Sequence, residues 1–491
     1  MNEPQQHRKR LSRKEQKARK KQRVRSKDES KNATKATEST TDDAVKEQPT
    51  AASNIDADND YIPTPIPSIA ELQSVHTGKA LGKWFPNAIQ VKLNPPDLST
   101  KASLLLFYHY AAFPLARRDQ LMAYLARVAE ERQIGGRLRV STEGINATVS
   151  SQGAAPLRAL AQDLIQFDAT FQQTDFKYID DLSPDRHFTQ CKIFPVQELV
   201  YYGLDDQQAP LSRGGVHLDA HDFHEHLQHE NAVVIDVRNH YEAAIGRFDG
   251  QAGAKYVDPK FRKSTDIATW LHKPETKEQL QGKQVLLYCT GGVRCERASA
   301  YLNQTMGDQL EGVFQLKGGI ERYFKAFPDG GYWRGKNFVF DKREAVSVDQ
   351  PDGVGGVVKP TERSSVETTC CVCDEPWDRY IGKKKCHTCG VPVLVCDSCL
   401  SNKKKLEKAL LRCPLCVEEN VTVRADDVEY TNNGVAVKGH EKGAAPSVLK
   451  WGGGHAKKKA TSSWKDKPCR FGAACTRPDC FFTHPADRAA M

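Results

Sequence analysis

The chain has 491 residues, enough for about three compact domains of roughly 100 to 150 residues each, which argues against a single core. Apolar residues make up 39% and the mean hydropathy is -0.60, low for a chain folded throughout, so part of it is expected to be solvated. The net charge of +9 is unevenly placed: residues 1 to 31 carry +9 and residues 438 to 491 carry +7, which leaves -7 for residues 32 to 437.

Basic ends on an acidic middle suit arms that grip a polyanion, although solubility or an import receptor explains the N-terminal run equally well. No apolar run approaches the ~18 residues of a spanning helix, and the N-terminus lacks the apolar segment of a secretory signal. The N-terminal tail is Lys-rich and contains Glu3, Glu15, Asp28 and Glu29, unlike an organelle transit peptide, so cytoplasm or nucleus is expected. In those reducing compartments 15 cysteines, largely in C-x2-C pairs, point to metal ligation or catalysis rather than disulfides.

Residues 1–60 are low in complexity and read as a disordered basic arm, followed by a lead-in segment, 61–103. Over 104–205 the apolar pattern predicts β-α-β-β-α-β. Leu104 to Tyr108 is a buried strand, Leu121, Leu125 and Val128 have helical spacing, and Gly136 to Thr142 is the next strand. Glu143 to Val149, a helix near 156–167, and strands around Phe176 to Ile179 and Lys192 to Tyr202 complete it. That order fits a ferredoxin-like α+β sandwich, a scaffold that hosts many functions. Residues 213–345 change to α/β, with strands at Val233 to Val237, Gln284 to Cys289 and Val313 to Leu316 and helices between, so a parallel sheet with helices on both faces is expected. Linkers are read at 346–366 and 421–465, flanking a cysteine-dense domain at 367–420 and leading to a last small module at 466–486.

The stretch Cys289-Thr290-Gly291-Gly292-Val293-Arg294-Cys295 sits between a strand and a helix, with Cys289 where the strand ends. A loop of small residues lets successive backbone N–H groups point at the sulfur, and the helix adds its positive end, so thiolate is favoured over thiol and a persulfide would fit the same cradle. Arg294 would steady an anionic sulfur species or a nearby phosphate. Cys295 is either a resolving thiol or a packed one, and Cys289 is the preferred nucleophile.

With Asp236-Val237-Arg238 and Glu242 upstream, this loop resembles the rhodanese superfamily over about residues 213–330. Related dual-specificity phosphatases carry C-x5-R, whereas Cys289 to Arg294 is C-x4-R, which favours sulfur chemistry. The fuller pattern, Cys289 to Ser299, closely resembles the bacterial tRNA uridine hydroxylase family. Glu143-Gly144-Ile145-Asn146-Ala147-Thr148-Val149, Lys317-Gly318-Gly319-Ile320 and Gly335-Lys336-Asn337-Phe338-Val339-Phe340-Asp341 agree with it. One departure is Ala147, where the family usually has glycine, expected to tighten a turn. The resemblance implies hydroxylation of the wobble uridine of tRNA with dioxygen as co-substrate, on a catalytic cysteine. His217, Asp219, His221, His224, His226 and His229 also suggest part of a 2-His-1-carboxylate iron site, but Asp219 with Asp222 reads better as a helix N-cap, with the histidines on a solvated face.

Cys370-x2-Cys373, Cys386-x2-Cys389, Cys396-x2-Cys399 and Cys413-x2-Cys416 supply thiolates for two tetrahedral Zn(2+) sites. Which pairs share an ion is open, a cross-braced arrangement being one solution, and Cys371 is spare. The spacing fits a RING ubiquitin ligase poorly; the resemblance points instead to the cysteine-rich segment after hydroxylase-family rhodanese domains. The last module, Cys469-x5-Cys475-x4-Cys480-x3-His484, closely resembles C-C-C-H zinc fingers. That resemblance implies one Zn(2+) and single-stranded RNA bound on Phe471, Phe481 and Phe482, with Arg470 and Arg477 beside them and Lys457, Lys458 and Lys459 upstream. A structural finger that binds protein is the other reading.

The sequence thus describes a multidomain RNA-directed enzyme with no membrane partner: an arm, a ferredoxin-like domain, a rhodanese domain, zinc-binding modules and disordered termini. A sulfurtransferase carrying a persulfide on Cys289 and a non-catalytic RNA-binding adaptor are the alternatives.

Overall fold

A computed structural model describes residues 61–68, 88–250, 252–348, 366–421, 428–431 and 434–437. The arm at 1–60, most of both linkers and the whole C-C-C-H module with its lysines lie outside the described residues. The chain divides into two compact units, 1–365 and 366–491.

The first unit opens on β1 (Ile89–Lys92), β2 (Ala102–Tyr110), α1 (Leu115–Glu131), β3 (Gly135–Ser141), β4 (Gly144–Gln152), α2 (Ala155–Phe167), β5 (Lys177–Leu182) and β6 (Gln190–Pro195). Its six-stranded sheet runs β1-β6-β3-β4-β2-β5, so β3-β4-β2-β5 is the ferredoxin-like core and β6, parallel to β3, extends it with β1 at the edge. Strict alternation builds it: Leu138, Val140, Ile145, Ala147 and Val149 face the helices, where the predicted stripe Leu121, Leu125 and Val128 meets them. The lead-in segment is not featureless, because it supplies β1, and Thr64 bonds the buried Asp163 through its backbone N–H at 3.1 Å. The last predicted strand is shorter than Lys192 to Tyr202. It stops at Pro195, which has no N–H to extend a ladder, and Tyr202 turns away into the next core. Ala147 lies mid-strand in β4 between Phe107 and Leu138, so its methyl packs in the core and touches no turn.

The α/β half contains β7 (Val216–Leu218), α3 (Ala220–His226), β8 (Ala232–Asp236), α4 (His240–Ala244), β9 (Gly246–Phe248), β10 (Lys255–Val257), α5 (Asp266–Leu271) and α6 (Pro274–Leu280). It continues with β11 (Gln284–Tyr288), α7 (Val293–Met306), β12 (Gly312–Leu316), α8 (Gly319–Ala326) and three short strands, β13 (Trp333–Gly335), β14 (Asn337–Phe338) and β15 (Ala345–Val346). Five parallel strands run β10-β8-β11-β12-β7. Central β8 and β11 are buried on both faces, which explains their continuous apolar runs: Val233, Ile235, Val285 and Leu287 enter one core and Val234, Leu286 and Tyr288 the other. Every strand of this sheet points its C-terminal end toward the cysteine loop.

The second unit is a small module with α9 (Asp397–Ser401), α10 (Lys403–Lys408) and α11 (Pro414–Glu418) around a core made largely of cysteine sulfur. The segment read as the second linker contains an antiparallel hairpin, β16 (Val428–Thr431) with β17 (Gly434–Val437). Its sequence signal is Asn432-Asn433, residues that favour tight turns, between the paired strand ends Thr431 and Gly434.

Candidate active site and metal centres

Cys289 sits directly after β11, fully buried, and α7 begins four residues later with Gly292 as its N-cap at φ 101°. Only glycine takes that backbone readily, and a side chain there would also run into the Tyr108 hydroxyl. The conformation turns the Gly292 N–H onto Cys289 Sγ at 3.1 Å. Beneath the loop, the start of α8 holds it: Ile320 N–H donates to the Cys289 carbonyl at 3.1 Å and Glu321 N–H to that of Thr290 at 3.2 Å. Gly319 leaves room for this, since a Cβ there would lie 2.6 Å from both carbonyl oxygens.

Burial by itself opposes ionisation of Cys289. The Cys295 thiol hydrogen bond, the Arg294 charge and the N–H groups of Arg294 and Gly292 outweigh it and bring the pKa down to about 5. Burial, together with donation to the Cys289 thiolate, pushes Cys295 well up, so one sulfur of the pair is an anion and the other a thiol at neutral pH. Arg294 does not reach outward. Its two terminal nitrogens fork onto Glu242 at 2.7 and 2.8 Å, and one also meets Thr290 Oγ1 at 3.1 Å, so its charge acts on the sulfur from a fixed position. Glu242 is placed by the capping box of α4 with Asn239. Asp236 and Arg238, from the same stretch, form a separate buried pair that takes the Tyr288 hydroxyl at 2.9 Å.

Several contributors come from outside the loop and were not singled out in the sequence. Tyr108 at the end of β2 donates to Glu296 at 2.8 Å, Tyr110 to the Val293 carbonyl at 3.3 Å and Tyr202 to the Arg294 carbonyl at 2.9 Å. Glu143, opening the predicted Glu143 to Val149 stretch, pairs with Arg297 on α7. Tertiary reach of this kind leaves no local signal, although Glu143 and Glu296 both fall in stretches already marked by resemblance. Phe340 is 49% exposed beside the Arg294 guanidinium, 5.6 Å from its ring centre.

The histidine cluster does not assemble. Asp219 caps α3 by accepting from the N–H groups of His221 and Asp222, His217 bonds Glu296 at 2.8 Å, and His224 lies stacked between Phe327 and Tyr332 rather than on a solvated face.

Family models match three consecutive stretches: an acylphosphatase-like domain of the UPF0176 type at 102–199, a rhodanese-like domain at 219–326 and a rhodanese C-terminal domain at 334–420. A tRNA uridine(34) hydroxylase of Staphylococcus saprophyticus is 36% identical over 253 residues, 51% of this chain and 74% of the relative. Its counterpart in Oceanobacillus iheyensis is 35% identical over 255 residues, 51% of this chain and 73% of the relative. This chain belongs to the tRNA uridine(34) hydroxylase family. A rhodanese-like domain-containing protein 6 of Arabidopsis thaliana is 34% identical over 331 residues, 64% of this chain, and the aligned region spans about half, 52%, of that protein.

In this hydroxylase-family chain the second unit gathers its cysteines in two groups, Cys370, Cys373, Cys396 and Cys399 in one and Cys386, Cys389, Cys413 and Cys416 in the other. Sulfurs within each group lie within 4.8 Å of one another, with Cys373 and Cys396 at 3.6 Å and Cys389 and Cys413 at 3.5 Å, too far apart for disulfides and about the edge of a tetrahedron around a thiolate-bound ion. The pairing is cross-braced: first C-x2-C with third, second with fourth. Cys371 stays outside both groups. Among the described residues these are the only sets arranged to hold a metal, and no helix there is long and apolar enough to cross a membrane.

Proposed function

We propose that this protein hydroxylates uridine 34 of tRNA, with the Cys289 thiolate at the reacting centre. The observation that carries the reading is that thiolate: its pKa of about 5 means an ionised nucleophile at neutral pH, held by Gly292 N–H and the Glu242-locked Arg294 in a chain of this family. Cys295 donates a hydrogen bond to it and positions it. Dioxygen would supply the inserted oxygen atom, its second atom leaving as water after uptake of two protons and of two electrons from an external reductant. Zn(2+) would sit in both four-cysteine groups, each ion fixing two knuckles of a module too small to be stable on its apolar core alone. The C-C-C-H module and the basic arm would hold the RNA.

The same anion-holding loop suits a persulfide on Cys289, so sulfur transfer to tRNA is the second reading. Mass spectrometry of nucleosides from tRNA incubated with the full-length protein under isotopically labelled dioxygen separates the two. Label in uridine 34 with wild type and none with Cys289→Ser supports hydroxylation. Sulfur incorporation only when a donor is added supports the second reading, and turnover unchanged in Cys289→Ser overturns both.

A further inference from the structure

Helices cover one face of the six-stranded sheet; the other presents the alternate side chains of each strand. Register identifies which residues share that second face. Arg139 stands opposite Asn146, and Asn146 opposite Tyr108, so one cross-strand row ends at the tyrosine that touches Gly292 and bonds Glu296 beside the cysteine loop. In the next row Arg137 stands beside Lys192, which faces Gln90 on β1, and Lys92 lies one row further on, opposite Gln190. Successive rows are two residues, about 7 Å, apart. Outward positions on β1, β6, β3 and β4 include no carboxylate.

Arg137 and Arg139 are exposed, and none of the four cations has an ion-pair partner among the described residues. Most other arginines among the described residues of this unit are paired, for example Arg158 with Asp180 and Arg322 with Asp175. Crowding by surrounding protein, then repulsion from Arg137, lowers the pKa of Arg139 although its side chain still reaches solvent. A fold that aligns like charges without counterions gains from an anionic ligand that neutralises them. The middle of the chain is acidic overall, which makes this local basic surface the more selective.

We propose that the helix-free face of the sheet, through Arg139, Arg137, Lys192 and Lys92, binds the phosphodiester backbone of the RNA whose base is delivered to Cys289. This rests on the hydroxylase reading for the identity of the RNA but not for the binding itself. Backbone contacts of this kind fix register and leave base choice to the loop. A protein partner would have to bring a row of carboxylates to the same track, and the test separates the two.

The experiment uses full-length protein with Arg137→Ala and Arg139→Ala combined, and Lys101→Ala as a control because Lys101 is paired with Asp181 on the opposite edge. Binding of unmodified tRNA is followed by fluorescence anisotropy over a salt series, and hydroxylation is measured in parallel. Each lost contact to single-stranded phosphate should reduce the slope of log affinity on log salt by about 0.7, so the double variant should lose about 1.4 while thermal melting stays unchanged. KM should rise about tenfold or more with kcat kept, and Lys101→Ala should match wild type. An unchanged slope with unchanged KM overturns the proposal, as does weakened capture of an acidic peptide with tRNA binding intact. If the slope falls but wild type hydroxylates nothing, the RNA track stands and the hydroxylase reading fails.

Discussion

The Tyr108 hydroxyl, near the end of a strand in the α+β sheet, donates to the Glu296 carboxylate on the helix that follows the cysteine loop, at 2.8 Å. Glu296 also holds His217 at 2.8 Å and Gln315 at 3.0 Å, so one carboxylate joins two sheets across the cysteine loop. Tyr108→Phe removes one bond of three and leaves the ring on Gly292. It should cost about 1 kcal/mol in urea denaturation, with larger loss of turnover if the loop needs that anchor. A stability loss near zero would show that the hydroxyl is equally well hydrated without its partner.

Cys289 ionisation gives a pH prediction. Its folded-state pKa of about 5 lies below the ordinary 9.0, so the contribution to stability is complete above pH 9, declines as pH falls, and is gone below about 5. Thiolate absorbance, taken as wild type minus Cys289→Ser, should titrate near pH 5. In Cys295→Ala the midpoint should move upward, because the donor hydrogen bond is lost. A midpoint that stays put would assign the depression to Arg294 and the backbone alone.

Arg294 and Glu242 are both buried, and each leaves the other uncompensated when removed. Arg294→Met or Glu242→Gln alone should cost about 3 to 5 kcal/mol, read from the denaturation midpoint, and the double variant should recover much of that loss. Additive losses would mean that the pair contributes little as a pair.

Cross-bracing predicts how metal content responds to mutation. Cys373→Ser with Cys396→Ser strikes one of the two four-cysteine sites and should leave about two zinc ions per chain by elemental analysis, one of them in the C-C-C-H module, while Cys373→Ser with Cys386→Ser strikes both and should leave about one. The reverse order of retention would point to consecutive rather than interleaved pairing. Chelation should unfold 366–421 in hydrogen exchange.

Much of this architecture was legible because periodicity survives burial. Alternation in β3 and β4, the α1 stripe at Leu121, Leu125 and Val128, and the apolar runs of β8 and β11 all report which face is covered. The short strands β7, β9 and β10 escaped, being three residues each, too short for any period to show. At the site, the loop was readable from its glycines and the family likeness. The lock of Arg294 by Glu242 and the roof made by Tyr108 and Tyr202 were not, since residues separated by 52 to 188 positions meet only after folding. The zinc pairing stayed open in sequence for the same reason: spacing within a C-x2-C is local, whereas the choice of partner pair is topological.

Interleaved ligands also set a timetable for synthesis. As the chain leaves the ribosome N-terminus first, the first four-sulfur group stays incomplete until Cys399 has emerged and the second until Cys416 has, although half of each set is exposed long before. The first group cannot close before the chain has passed Cys386 and Cys389 of the second, so termination between Cys373 and Cys399 leaves thiols without a complete ligand set. Completion of the first metal group therefore comes only after translation has passed well beyond the rhodanese-like domain.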